Sequence, residues 1–291
     1  MTYRILVTGA AGRVGTALRP LLARPGRVLR LLDLAPLGRA APGEELIQAS
    51  FTDQDAIDRA CRDVDAVVHL GGLSGEGPWE RLLAANVDGT QRVLEAVRRR
   101  GVRKAVLASS IHAAGFLTRD DARAAGDGGL LPADAPPRPD TFYGVSKAAL
   151  EALGALYHSR FGIDVSCLRI GAFRPRPVSP PDLAVWLSHQ DAARLVEACL
   201  AAHPPTFRIL WGISGNTRRW WSLAEGTAIG YRPRDDAERF AGDVPGAGAF
   251  DPADPLLHRV GGGFCAMPLG GSAGERRGRQ AHGAERVEGE H

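Results

Sequence analysis

RILVTGAAGRVG, residues 4–15, decides the fold. RILVTG reads as a buried strand, and GAAGRVG (Gly9 to Gly15) follows it without a linker. Val14, Leu18, Leu21 and Leu22 then recur on one face of a helix. Strand, glycine turn and helix in that order open a βαβ unit. The spacing is GxxGxxG. Gly9 permits the tight turn, Gly12 keeps a side chain away from an approaching phosphate, and Gly15 lets the helix lie against the sheet. Free amides at a helix N-terminus attract a pyrophosphate. A glycine-rich heptad alone is weak evidence; its place between strand and helix makes it a dinucleotide loop.

VLRLLD (to Asp33), EELIQA (to Ala49), DAVVHL (to Leu70), KAVLASS (to Ser110) and DVSCLRI (to Ile170) are further strands. Helical patterns at 53–61, 79–99 and 143–161 separate them. Continuous apolar strands alternating with helices imply a parallel sheet covered on both faces. Right-handed crossovers then give an α/β, doubly wound Rossmann fold. Beyond it, 191–203 reads as a helix, FRILWGI from Phe207 as a strand, and 220–229 as a short helix. The expected division is a dinucleotide-binding domain at 1–170, a smaller substrate-binding portion at 171–270 and a disordered tail at 271–291. Residues 33–44 read as a loop, and 119–140 as a long one, a lid or an inert insertion.

Composition narrows the function classes. The net charge of +3 is the difference between 36 basic and 33 acidic groups, and the arginines are scattered rather than gathered in a stripe, so no nucleic-acid partner is expected. No run approaches the roughly 18 apolar residues of a membrane helix. The chain enters its first strand with no leader-like segment, and a cytoplasmic protein is expected. Cys61, Cys167, Cys199 and Cys265 lie far apart, which argues against a metal site or a disulfide framework.

Asp33 ends the second strand, where a carboxylate accepts hydrogen bonds from adenosine ribose hydroxyls and repels a 2′-phosphate. NAD is therefore the expected cofactor, although Arg13 pulls toward a 2′-phosphate. In YGVSK, Tyr143 and Lys147 stand one helical turn apart. A lysine ammonium beside a phenol favours the phenolate, so the pair can take a proton from an alcohol while a hydride leaves its carbon. The pair follows ASS (108–110), at the carboxyl end of a parallel strand, where Ser110 can hold the reacting oxygen.

GAAGRVG, HLGG, Asn86, SS and YGVSK, in that order, resemble the extended short-chain dehydrogenase/reductase family over residues 1 to about 170. The resemblance implies that Ser110 orients the substrate, Tyr143 is the acid/base, and Lys147 also binds the nicotinamide ribose. Asn86 matches an asparagine that supports a proton relay. Cofactor contacts would come from Gly9, Gly12, Arg13, Val14, Gly15 and Asp33, from Leu70, Gly71 and Gly72, and from Phe173. Where the family has an acidic residue contacting adenine, this chain has Ser50, and Ser50 and Phe51 would contact adenine with a weaker polar grip.

Longer strings are similar to uronate dehydrogenases: HLGGLS (69–74), RPDTFYGVSK (138–147), LRIGAF (168–173), VWLSHQD (185–191), LWGIS (210–214), Trp220–Trp221 and DPADPLLHRVGGGF. That resemblance implies NAD-dependent oxidation at C1 of a cyclic hexuronic acid to its lactone, usually in a homo-oligomer. Ser74, Ser110 and His112 would contact the sugar. The intervening position is Ile111, which cannot hydrogen-bond, and the arginine that holds the carboxylate falls near Pro181. Arg174 or Arg176 is the expected replacement, with Trp220 and Trp221 in the core. The alternatives are a nucleotide-sugar epimerase or dehydratase and a non-catalytic NAD-binding regulator.

Overall fold

The computed structural model describes residues 2–125, 128–249 and 254–271. Strand β1 (Tyr3–Thr8) runs into helix α1 (Arg13–Leu22), and β2 (Arg27–Asp33) and β3 (Glu44–Gln48) follow. Next come α2 (Gln54–Ala60), β4 (Ala66–His69), α3 (Trp79–Leu82), a π-turn (Leu83–Asp88) and α4 (Gly89–Arg99). Strand β5 (Lys104–Ser110), α5 (Arg119–Ala124), α6 (Phe142–Phe161) and β6 (Asp164–Ile170) complete the first 170 residues. Beyond them lie β7 (Ala172–Phe173), α7 (Asp182–Val185), β8 (Trp186–Leu187), α8 (His189–Ala201), β9 (Phe207–Gly212), α9 (Ala224–Ala228) and α10 (Pro255–His258).

Seven strands form one sheet in the order β3-β2-β1-β4-β5-β6-β9, and every pairing is parallel. The order reverses at β1, between β2 and β4, which opens a crevice at the carboxyl ends of the strands. One buried cluster joins Ile5, Val7, Leu29 and Val106 to α1 and α8; another joins Leu6, Val67, Leu107 and Val165 to α2, α4 and α6. This two-sided burial explains why the strand sequences are continuous apolar runs.

The expected elements shift in four places. The 79–99 helix is broken by the π-turn. The 119–140 segment is not all loop: Thr118 and Asp121 form a capping box that starts α5. The helix expected at 191–203 begins at His189, because Ser188 caps it by accepting from the Asp191 amide at 2.9 Å. The helix expected at 220–229 is only Ala224–Ala228, because Trp220 and Ser222 pair by backbone hydrogen bonds with Leu131. Of the expected tail, only Gly271 falls within the described residues. No helix among the described residues is long and apolar enough to cross a membrane.

Candidate active site

Gly9 sits at φ +69°, and a Cβ there would lie 2.6 Å from the Gly71 nitrogen. A Cβ at Gly15 would lie 2.5 Å from the Gly9 carbonyl oxygen, so the loop, the β4 end and α1 pack closely only through glycine. Gly12 opens α1 with no side-chain cap, leaving first-turn amides at the crevice. Asp33 stands beside this loop, its Oδ2 accepting from Ala11 N and its Oδ1 from Ala35 N, both at 2.9 Å.

On the other side of the crevice, Thr141 starts α6 by accepting from Gly144 N at 3.1 Å, which puts Tyr143 in the first turn and Lys147 one turn later. Both are buried. Lys147 Nζ donates to the Ala108 carbonyl at 2.8 Å and lies 5.6 Å from the Tyr143 ring centroid. Burial pushes the Tyr143 phenol up to about 12, against a hydrogen bond with Ser110 that lowers it; Asp140 raises it and Arg13 lowers it. Burial brings the Lys147 ammonium down to about 8. Ser110, Tyr143 and Lys147 thus meet at the end of β5 in a water-poor setting.

A cavity of ≈510 Å³ spans both sides. Its wall includes Gly9, Gly12, Arg13, Val14 and Gly15, then Leu70, Gly72 and Ser74, then Ser110, Ile111, His112, Tyr143 and Lys147, and finally Phe173 and Arg174. Asp33, Ser50, Phe51 and Gly71 lie outside that wall. The Ser50 hydroxyl bonds Thr52 Oγ1 at 2.7 Å, and Phe51 packs under Gly71 and against His69. Asn86 is buried; its Oδ1 accepts from Leu73 N at 2.7 Å, while Nδ2 donates to Leu73 O and Ser146 Oγ. Trp220 and Trp221 are buried in a cluster with Trp211 and also face the cavity. Arg176 is not part of the wall; its guanidinium lies over Phe240.

Several groups escaped the sequence. Asp140 holds His112 Nδ1 at 2.7 Å, which orients a ring that Phe264 stacks upon at 3.8 Å. Asp182 pairs with Arg174 at 3.3 Å and, among the described residues, is the one carboxylate of the wall, against Arg13, Arg119, Lys147, Arg174 and Arg259. Glu76 accepts from the Tyr143 amide at 2.9 Å. The Thr before Phe142 was a readable helix cap, but partners as distant as Asp182 or Glu76 leave no local pattern.

The donor set suits a dinucleotide: uncapped amides and Arg13 would face a pyrophosphate, Asp33 beside the loop would accept from a ribose, and Lys147 with Tyr143 would lie at the far end. Among the described residues, no group of three or more His, Cys, Asp or Glu is placed to hold a metal ion.

Comparison with known proteins agrees. A uronate dehydrogenase of Pseudomonas putida is 37% identical over 262 residues, covering 90% of this chain and 95% of that protein. An NAD-dependent glucose-6-phosphate dehydrogenase of Haloferax volcanii is 38% identical, over 82% of this chain and 96% of that protein. A crystal structure of a uronate dehydrogenase mutant from Agrobacterium tumefaciens, complexed with NAD, superposes with a TM-score of 0.83 at 36% identity, covering 92% and 98% of the two chains. The NAD dependent epimerase/dehydratase family model matches residues 5–176, and the chain belongs to that family.

Proposed function

We propose that the protein oxidises C1 of a cyclic hexuronic acid, or of a closely related cyclic sugar, to the lactone. The carrying observation is the convergence of Ser110, Tyr143 and Lys147 on the cavity that the Gly9–Gly15 loop also lines. Bound NAD supplies the hydride acceptor. Ser110 Oγ and Tyr143 Oη hold the C1 hydroxyl, and Tyr143 Oη takes its proton as the C1–H bond breaks. The Ser110 hydrogen bond favours the phenolate against burial, and the Ala108 carbonyl fixes the Lys147 ammonium one turn along the helix. Ser74 and His112 contact the remaining hydroxyls, with Asp140 setting the His112 ring. Ile111 packs against the sugar. The excess of cations in the wall suits an anionic substrate, and Arg174, held by Asp182, faces its carboxylate.

The same reading takes the division into a dinucleotide-binding 1–170 and a smaller substrate-binding 171–270, and places the enzyme in the cytoplasm as a homo-oligomer. Exposed Trp79, Val145, Leu156 and Phe161, on or beside α6, support an interface there.

NADH formation with glucuronate and galacturonate beside glucose and galactose tests the reading. The uronates are expected to turn over fastest, with NADH accumulating, and Tyr143→Phe is expected to lower kcat by about 10³. Equal rates on acids and neutral sugars would remove carboxylate recognition. Sugar isomerisation without NADH release would favour the epimerase alternative.

A further inference from the structure

The 254–271 segment crosses the cavity like a strap. Leu257, Arg259, Val260 and Phe264 line the wall. Val260 N donates to Leu117 O at 2.9 Å and Gly261 N to Gly115 O at 2.8 Å, and Phe264 stacks on His112. At the far end, Gly270 N donates to Glu76 Oε1 at 2.7 Å. The other oxygen of that carboxylate, Oε2, is the one that accepts from Tyr143 N. Glu76 is only 6% exposed. It comes from the stretch between β4 and α3 that also supplies Ser74.

A carboxylate removed from water requires donors. Glu76 has two backbone amides and the positive end of α6. Tyr143 is the second residue of that helix, so its N–H has no partner within the helix. Thr141 satisfies Gly144 N, and Glu76 satisfies Tyr143 N. The carboxylate therefore helps fix where the helix begins, and with it the position of the phenol relative to Ser110 and Ala108 on β5. The same carboxylate anchors the strap that lines the cavity.

We infer that Glu76 is a positioning residue for the reaction: one buried carboxylate ties the closing wall of the substrate cavity to the backbone of Tyr143. This rests on Tyr143 being the acid/base of the proposed oxidation. The two jobs need an acceptor on each side. A glutamine keeps the shape but turns an NH₂ toward one of the two amides, where donor faces donor.

Full-length Glu76→Gln, a chain ending at Met267, and the two changes combined test this with NAD and glucuronate. Glu76→Gln is expected to lower kcat about tenfold and raise the sugar KM severalfold, because a small misplacement of an acid/base group is costly. The acidic limb of its kcat–pH profile moves upward, since a phenol displaced from Ser110 loses the hydrogen bond that favours its ionisation. NAD affinity stays unchanged, which also reports that each variant is folded. In the shortened chain, Glu76→Gln loses its effect on KM but keeps its effect on kcat.

A Glu76→Gln enzyme with wild-type kcat and pH profile overturns the inference. Loss of NAD binding along with activity also overturns it, since that marks Glu76 as a support of the fold alone. Tyr143→Phe separates the two levels. If it is inactive while Glu76→Gln is normal, only the inference falls; if it keeps wild-type kcat, the acid/base reading falls and takes the inference with it.

Discussion

Lys147 brings an ammonium into a fully buried setting, and burial lowers its pKa to about 8 from the ordinary 10.5. Below pH 8 the group is charged in both folded and unfolded chains, so the burial cost is fully present. Between 8 and 10.5 the unfolded chain binds more protons, so stability rises with pH through that window. A tenfold change in a protonation equilibrium corresponds to about 1.4 kcal/mol, so the full cost is about 3 kcal/mol. Lys147→Met removes it together with the hydrogen bond to the Ala108 carbonyl, whose loss takes back about 1–3 kcal/mol. The variant is therefore expected to be inactive yet to melt at the same temperature or up to about 3 °C higher at pH 7, with any gain shrinking toward pH 10. Thermal melts at several pH values check this, and a lower Tm at pH 7 would refute it. The Tyr143–Lys147 spacing was legible because helical periodicity fixes neighbours within one turn. Asp140, Asp182 and Glu76 were not. Glu76 reaches its two partners across 67 and 194 residues, and only the fold brings them together.

Sequence periodicity also ran through the 79–99 segment without a break, because a π-turn keeps apolar residues facing inward on either side. The structure shows what the extra residue per turn achieves: buried Asn86 points back at Leu73 and pins the stretch after β4. Inserted π-turns often mark functional positions in this way. Asn86→Ala would leave Leu73 N without its partner and sever the link to Ser146 on α6. A loss of about 2–3 kcal/mol is expected from these buried hydrogen bonds. Because Ser74 is adjacent, the sugar KM is expected to rise more than the NAD KM. Melts and two-substrate kinetics decide; equal changes in both KM values would mean that the turn supports only the fold. Elements beyond β6 were the least legible. There, caps and bridges such as Ser188 to Asp191 and Leu131 to Trp220 set the boundaries instead of apolar periodicity.

Across the whole molecule, the parallel sheet was readable from β1 alone outward, because two-sided burial leaves the same apolar signature on each central strand. The strand order places the crevice where β1 separates the β2–β3 side from the β4–β5–β6 side. Asp33 belongs to the first side and Ser110, Tyr143 and Lys147 to the second. This separation lets cofactor choice change without touching the sugar. Under the proposed function, Asp33→Ser would remove both the ribose acceptor and the charge that repels a 2′-phosphate, while Arg13 would remain in the loop to pair with one. The NAD KM is expected to rise about tenfold as a charge-assisted pair is lost, and NADP is expected to become a usable acceptor. The sugar KM and the effect of Tyr143→Phe should be unchanged within about twofold, as distant sites are independent to a few tenths of a kcal/mol. Asp33 also accepts from Ala11 and Ala35, so the melt of the variant must be followed alongside its kinetics. A stable Asp33→Ser enzyme whose sugar KM rises with its NAD KM would show that the two sides of the sheet act as one unit.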